Sequence, residues 1–453
     1  MNVFGLEAKM MLRKRGAVLP LLGYLLLSII AIVNGSLWFD HLQESSALQR
    51  TLFEQHLEEV QTTQATKSPG SLAYGLKAPA SFEPSPWSVL FSGETREHLL
   101  QMRVRMLAVQ GQIHATPLSN LEHLKLGWFD MTFLWLYIMP MLVGLMTITL
   151  LAEDKVSGRL GLVGSFVESK NAYIVQRLMP RFVIFAVINL LTLLAAFILV
   201  PLAFDGTFLI VMGALLLYQT FWFFISYLII AAGKTATQNI LMYLSVWAVF
   251  TIVLPSLNFM ANLDSKNLNT GIEMLFTQRQ VMNDSWDKNM QAELDTYLEK
   301  HPEWNPTERL GPEFDWKWYY AMQHTSDDSV TELAGTYRET INQAASVNGI
   351  NLLSPTLMMQ SLLQRIANSD AWAYQDFVRQ VEQWHDKQLR QFWYPHFFFK
   401  KPWNIENLKK LPTFSHQPTA NDYWQQYLII ILLQGLLLLT LVVFAKRRLN
   451  RVV

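Results

Sequence analysis

The 453-residue chain contains no cysteine, which excludes disulfides, thiolate metal sites and cysteine nucleophiles. Charge is also scarce. Asp, Glu, Lys and Arg make up 16% of the residues, against roughly 25% in ordinary soluble domains. Lys and Arg together number 36, as do Asp and Glu, so no global excess of positive charge points to a nucleic acid. Catalytic signatures are missing too. No two histidines stand in HExxH spacing, and no Ser/His/Asp set declares itself. Gly233-Lys234-Thr235 imitates the tail of a P-loop, but Leu228 stands where the first glycine should be. An apolar helix precedes it, where a P-loop needs a strand. Gly158, Gly161 and Gly164 are three apart, unlike the dinucleotide fingerprint; that spacing suits close packing of a short helix. No internal repeat is evident.

What the chain has in abundance is apolar surface. Hydrophobic residues make up 51% and aromatic ones 13%. A spanning helix needs about 20 mostly apolar residues, and six stretches qualify: Ala17–Phe39, Met131–Leu151, Met179–Leu202, Phe208–Ala231, Ile240–Ala261 and Trp424–Ala445. None contains an acid, and Arg181 is the only base, expected to snorkel to the boundary at the start of the third span. Lys9, Arg13, Lys14 and Arg15 precede the first stretch. That stretch is too long for a signal peptide and lacks a small-x-small end, so it reads as an uncleaved anchor.

Basic residues orient the spans. With the N-terminus in the cytoplasm, residues 1–16, 152–178, 232–239 and 446–453, with Arg181 at the edge, hold fourteen basic and four acidic residues. The cytoplasmic side is then +10 and the remainder of the neutral chain −10, as the positive-inside rule requires. Both termini are expected inside.

The organisation that follows is an N-terminal segment with the first span (1–39), an outer segment (40–130), spans two to five (131–261) with a cytoplasmic loop at 152–178, a second outer segment (262–423), and the last span with a basic tail (424–453). The fold class is a mainly α membrane protein with six spans and two extracytoplasmic, mostly helical insertions, with some β in the first. Insertions this long fold rather than dangle. Leu48, Leu52, Leu57 and Val60 recur at near-helical spacing and extend the first span outward. Lys67–Ser88 is rich in Pro, Ser, Ala and Gly and reads as an extended connector. Met102–Val109 alternates like a strand. In the second insertion, Met274 to Leu298 marks one or two helices stopped near Pro302. Val330 to Ala345 marks another, with Ser329 and Glu332 at capping-box spacing and Gly349 at its end. A further helix covers Trp372 to Trp384.

Three groups of side chains remain. The aromatic run Phe392–Trp403, with Lys400 and Lys401, suits domain core twice as well as a lipid contact. His41, His56, His98, His114 and His123 share the first insertion without ligand spacing, so no metal or cofactor site is expected. Inside the spans the polar residues are mild: Asn34, Asn189, Gln219, Ser226, Asn258 and Gln434. No acid stands mid-span to carry a proton, so the energy source lies elsewhere. Helix–helix hydrogen bonding explains most of them; Asn189, Gln219 and Asn258 are the candidates for lining a path.

The most specific pattern begins at the second span. Phe129-Asp130, then Tyr137-Ile138-Met139-Pro140, then Leu150-Leu151-Ala152-Glu153-Asp154-Lys155-Val156-Ser157-Gly158-Arg159-Leu160 resembles the ABC-2 type of ABC transporter permease. Family members more often carry Glu-Arg where this chain has Asp154-Lys155. Trp247 and Leu254-Pro255-Ser256 are similar to the family's fifth span. Ser92-Gly93 and Leu353-Ser354-Pro355, followed by Gln360, Leu363, Ala367 and Phe377, resemble a branch with large extracytoplasmic insertions after the first and fifth spans.

The resemblance implies a bacterial inner-membrane subunit without an ATPase site of its own. ATP and Mg would be bound by a separate ABC ATPase. A second permease chain, identical or related, would complete the pathway, and a periplasmic partner fits the insertions. Residues 153–165 would dock on the ATPase, with Glu153, Asp154, Lys155, Gly158, Arg159 and Leu160 as the coupling residues. Two functions follow: export or extraction of a substrate, or mechanotransmission through the outer segments with nothing crossing. A membrane-bound enzyme with its site in 262–423 is the third reading, and no catalytic constellation supports it.

Overall fold

The computed structural model describes residues 3–64, 66–96, 98–113, 129–164, 170–200, 202–232, 234–262, 270–305, 308–344 and 352–418, with isolated positions beyond. The stretch Trp424–Ala445, expected as the sixth span, falls almost wholly outside them, as do Gly349, His114 and His123. Among the described residues five helices are long and apolar enough to cross a membrane: α2 (Arg15–Thr63), α5 (Met131–Val156), α7 (Asn171–Leu199), α8 (Gly206–Ala231) and α9 (Ala236–Asn258). This is the build of a multi-pass membrane protein. A short helix α1 (Val3–Arg13) precedes them, and α6 (Arg159–Gly164) follows α5.

The apolar helices share one core, in which Tyr24, Trp135, Met139, Phe185, Tyr218 and Trp222 are fully enclosed. Their outer faces are apolar as well: Leu22, Leu26, Leu145, Ile198 and Leu241 are exposed. Helices that are hydrophobic all round suit an apolar solvent. Inside such a bundle every backbone polar group needs a partner, and three breaks in helical bonding show how they find one. Pro140 has no N–H for the Leu136 carbonyl one turn before it; the Tyr218 hydroxyl donates to that oxygen instead, at 2.9 Å. A π-turn over Leu134–Ile138 lies directly before it. Near Ile148–Thr149 the helix loosens again. There the Met146 carbonyl accepts from Arg181 Nε at 3.1 Å, and the Ile148 carbonyl accepts from Asn239 at 3.0 Å. Arg181 is therefore held inside the protein. A free carbonyl and an acid draw it inward, and it is buried.

α2 runs 49 residues, roughly 74 Å at 1.5 Å per residue, against a hydrocarbon layer of about 30 Å. The helical spacing of residues 48–60 thus continues the first span, as expected. Tyr24, Ala31 and Ile32 pack in the bundle, while Leu42, Phe53 and Val60 pack in a second, separate core.

That second core belongs to a polar body made from residues 42–113 and 294–414 together, drawn from both long segments between the apolar stretches. The first insertion contributes α3 (Pro69–Gly75), α4 (Val109–Ile113) and a two-stranded antiparallel ladder. In the ladder, β1 (Ala78–Ser81) pairs with β2 (Gln101–Val104) in the register Ala78↔Val104. The second insertion contributes α10 (Thr270–Trp286), α11 (Met290–Lys300), α12 (Trp316–Asp328), α13 (Thr331–Ala344), α14 (Pro355–Ile366), α15 (Ala371–Trp384) and α16 (Gln391–Phe398), with a π-turn His385–Arg390 joining the last two.

Several sequence expectations change here. Lys67–Ser88 is not simply extended: Ser68 caps α3, with Pro69 at its first position, where proline costs nothing. The strand at Met102–Val109 is shorter, because the chain turns after Val104 and Gln112 binds the turn's backbone. Ser329 does not open a capping box. It ends α12, and its hydroxyl donates to the Ser326 carbonyl. The aromatic run is core, with Trp393, Tyr394, Phe397 and Phe398 buried.

Candidate functional site

The candidate coupling residues sit where α5 ends, at the end of the bundle away from the polar body. Gly158 terminates the helix at φ +72°, a left-handed conformation that glycine adopts without a Cβ clash. A Cβ on Gly158 or Gly161 would meet nothing within 4 Å, so close helix packing does not explain those two glycines.

Glu153 and Asp154 are adjacent in sequence and opposite in role. Asp154 turns inward and is 1% exposed. It pairs with the Arg177 guanidinium, accepts from the Tyr173 hydroxyl at 2.8 Å, and meets Arg159 Nη2 at 3.3 Å. Arg177 also pairs with Glu7 of α1 through Nε at 3.0 Å, and Arg181 reaches Glu7 at 3.4 Å. One chain of charges thus fastens α1, α5 and α7. Buried ions persist when each has a partner, and here each carboxylate serves two cations or more. Glu7, Tyr173 and Arg177 went unrecognised in the sequence. Glu7, the one acid among the basic residues before the first span, was the available signal.

Glu153, Lys155, Ser157, Gly158 and Arg159 face outward, with Leu160 half-buried. A cleft of about 690 Å³ opens beside them, between the end of α5 and the turn that joins α8 to α9. Among the described residues, Glu153, Lys155, Arg159 and Lys234 line it, three cations against one anion. Thr235 caps α9 in a reciprocal capping box with Gln238, so the P-loop-like triplet ends in a helix start.

The polar candidates within the bundle divide. Asn189 and Gln219 meet at 3.1 Å, the Tyr24 hydroxyl donates to Asn189 at 2.8 Å, and Gln219 donates to the Phe182 carbonyl at 2.9 Å. Both are fully buried within this one chain, where they hold α2, α7 and α8 together. Asn258 stands apart from them, half-buried in the last stretch of α9.

The opposite end of the bundle forms a tight junction with the polar body. Asp130 caps α5 through the Phe133 amide and accepts from both the Ser92 amide and hydroxyl. The Ser369 hydroxyl donates to the Phe91 carbonyl at 2.7 Å, and the Glu94 amide donates to the Ser369 carbonyl at 2.9 Å. Gly93, at φ +51°, lets this happen, since a Cβ there would lie 2.4 Å from that carbonyl. α14 leaves the polar body and enters the bundle core, where Met359, Leu362 and Leu363 are buried. Ser354 at its start donates to the Phe250 carbonyl, and Thr356 meets the Tyr218 hydroxyl. Phe129-Asp130, Ser92-Gly93 and Leu353-Ser354-Pro355, scattered in sequence, thus converge on one boundary.

Residues 272–417 match a family model described as a domain of unknown function (DUF3526). No curated protein matches the chain, and no solved structure does.

Proposed function

We propose that this chain is the permease subunit of an ATP-driven transporter of the ABC-2 type, working with a separate ATPase that binds ATP and Mg. The observation that carries the reading is the end of α5. There, an exposed cationic cleft lies directly against the buried charge network of Glu7, Asp154, Arg177 and Arg181. A partner pressing on Glu153, Lys155 and Arg159 would move α1, α5 and α7 as one piece, because their ends share ion pairs. Six spans, a cytoplasmic location for this cleft, the bacterial inner membrane and pairing with a second permease chain belong to the same proposal. The +10 charge of the short flanking segments supports that orientation.

The test is co-purification of the full chain in mild detergent, with ATPase activity assayed on the eluate. The wild type should carry an ATPase, and Lys155→Glu/Arg159→Gln/Lys234→Glu should lose it while still eluting as a folded chain on size-exclusion chromatography. A wild-type eluate without ATPase activity, or a triple variant that keeps it, refutes the proposal.

A second reading, mechanotransmission without translocation, draws on the continuous α2 and on the insertion of α14 into the bundle. Two rigid links are more than anchoring needs, and they suit transfer of rigid-body motion into the polar body. Asn189 and Gln219, locked within the chain, fit this reading at least as well as a path.

A further inference from the structure

The polar body contains a cleft of about 430 Å³ that the transport reading does not use. At its wall three side chains converge from two elements. His324 and Asp328 lie one turn apart on α12 and so share a face. His301 ends α11, and Pro302 opens the next turn. His301 Nε2 lies 2.8 Å from one Asp328 oxygen, and His324 Nε2 lies 3.6 Å from the other. The three donor atoms all fall within 4.8 Å of one another.

We propose that His301, His324 and Asp328 bind a late first-row divalent cation, Zn²⁺ foremost, and that the ion staples α11 to α12. A tetrahedral zinc with ligands near 2.0–2.1 Å sets its donors roughly 3.3 Å apart. The two histidine–aspartate distances, 2.8 and 3.6 Å, bracket that value.

The surroundings are those of a ligand set. Each histidine has its other ring nitrogen held. The Tyr297 hydroxyl lies 2.9 Å from His324 Nδ1, and Glu303 lies 3.3 Å from His301 Nδ1. Such contacts fix the tautomer and leave Nε2 as the ligating atom in metal–histidine sites. Two imidazoles with a carboxylate select zinc and its neighbours over Mg²⁺ and Ca²⁺, which prefer oxygen alone. The Asp386 carboxylate, 4.0 Å from His324 Nε2, stands within reach as a fourth ligand; a water could take that position instead.

Charge favours the ion as well. Among the described residues the cleft is walled by Glu303, Asp327, Asp328, Glu382 and Asp386 against Arg338 and Arg390, with His385 beside the two ligand histidines. With the three histidines neutral, five carboxylates outnumber two guanidinium groups, and a divalent cation offsets most of the difference. The cleft is partly open, since the Asp328 side chain is 34% exposed while that of His324 is 8% exposed. An ion can therefore enter and still bind in a largely dry site.

The experiment uses the full chain in detergent, stripped with chelator, dialysed against Zn²⁺ and analysed for metal by mass spectrometry. One zinc per chain is expected. His301→Ala and Asp328→Asn should each lose it, Tyr297→Phe should weaken it by roughly 10–100-fold, and His56→Ala should keep it. Zn²⁺ should raise the melting temperature of the wild type, and Mg²⁺ should not. Co²⁺ gives a readout on the wild type even if a variant fails to fold, because a tetrahedral site produces intense visible absorption. Loss of zinc in both variants together with that absorption supports the site. Retention of zinc by both His301→Ala and Asp328→Asn, or a wild type that holds no zinc and shows no cobalt absorption, overturns it.

Discussion

Removing the carboxylate of Asp154 should cost the bundle more than removing that of its neighbour Glu153, by a margin large enough to measure. Asp154 is 1% exposed and holds Arg177, Tyr173 and Arg159. Breaking a buried ion pair by deleting one partner costs about 3–5 kcal/mol, because the other charge stays buried and uncompensated. Two features place this site at the low end. Arg177 keeps Glu7 at 3.0 Å, and Arg159 is 59% exposed and can rehydrate. We therefore expect about 3 kcal/mol for Asp154→Ala, read as a fall of several degrees in melting temperature. Glu153 is exposed, and its carboxylate accepts from the Thr149 hydroxyl at 2.6 Å. Glu153→Ala should cost about 0.5 kcal/mol or less, in the usual range of surface substitutions. The assay is heating of the detergent-solubilised chain followed by size-exclusion chromatography of what survives. Asp154→Ala/Arg177→Ala should lose less than the two single losses added, since each single change strands the other's charge. Equal melting of Asp154→Ala and Glu153→Ala, or strict additivity in the double variant, would refute the network.

Two further outcomes follow from named contacts. Tyr218→Phe removes the donor that replaces the missing Pro140 N–H at the Leu136 carbonyl, and should cost about 1–3 kcal/mol for a buried acceptor left unpaired; adding Pro140→Ala returns a backbone N–H and should restore part of that loss, and a double variant less stable than Tyr218→Phe alone would sink the account. His416 is buried against Phe82 and Phe377 and accepts from the Glu83 amide, with Glu83 and Asp376 as its charged neighbours. Burial holds its pKa below the ordinary value of 6.5. Below pH 6.5 the unfolded chain takes up a proton that the folded chain refuses, so stability falls with pH until the folded value is passed. The slope from this group is at most about 1.4 kcal/mol per pH unit. Between pH 7 and 5, His416→Gln should lose less melting temperature than the wild type, and identical profiles would show that His416 does not titrate this way.

How much of this was legible beforehand depended on the range of the interaction. Five of the six apolar stretches are helices long enough to cross a membrane, because solvent polarity and backbone hydrogen bonding act through composition alone. The extension of α2 was legible for the same reason: periodicity is local. The helix over Trp372–Trp384 likewise appears as α15. Failures came where a distant partner decides. Ser329 has capping-box spacing but belongs to the helix before it. Arg181 looked like a boundary residue, and Glu7, 174 positions away, turns it inward.

The candidate site shows the same division. The sequence by itself determined the helices, the cationic segment after the second span and the absence of cysteine chemistry, since each depends on residue type and near-neighbour spacing. Only the tertiary structure decided which of Glu153 and Asp154 faces inward, because one position of helix rotation separates them and packing alone chooses the face. It also decided that the two insertions share one core, that α14 enters the bundle, and that His301 meets His324 and Asp328. Those pairings join residues that nothing along the chain brings together, and their stabilisation comes from surface buried only after the chain has folded back on itself.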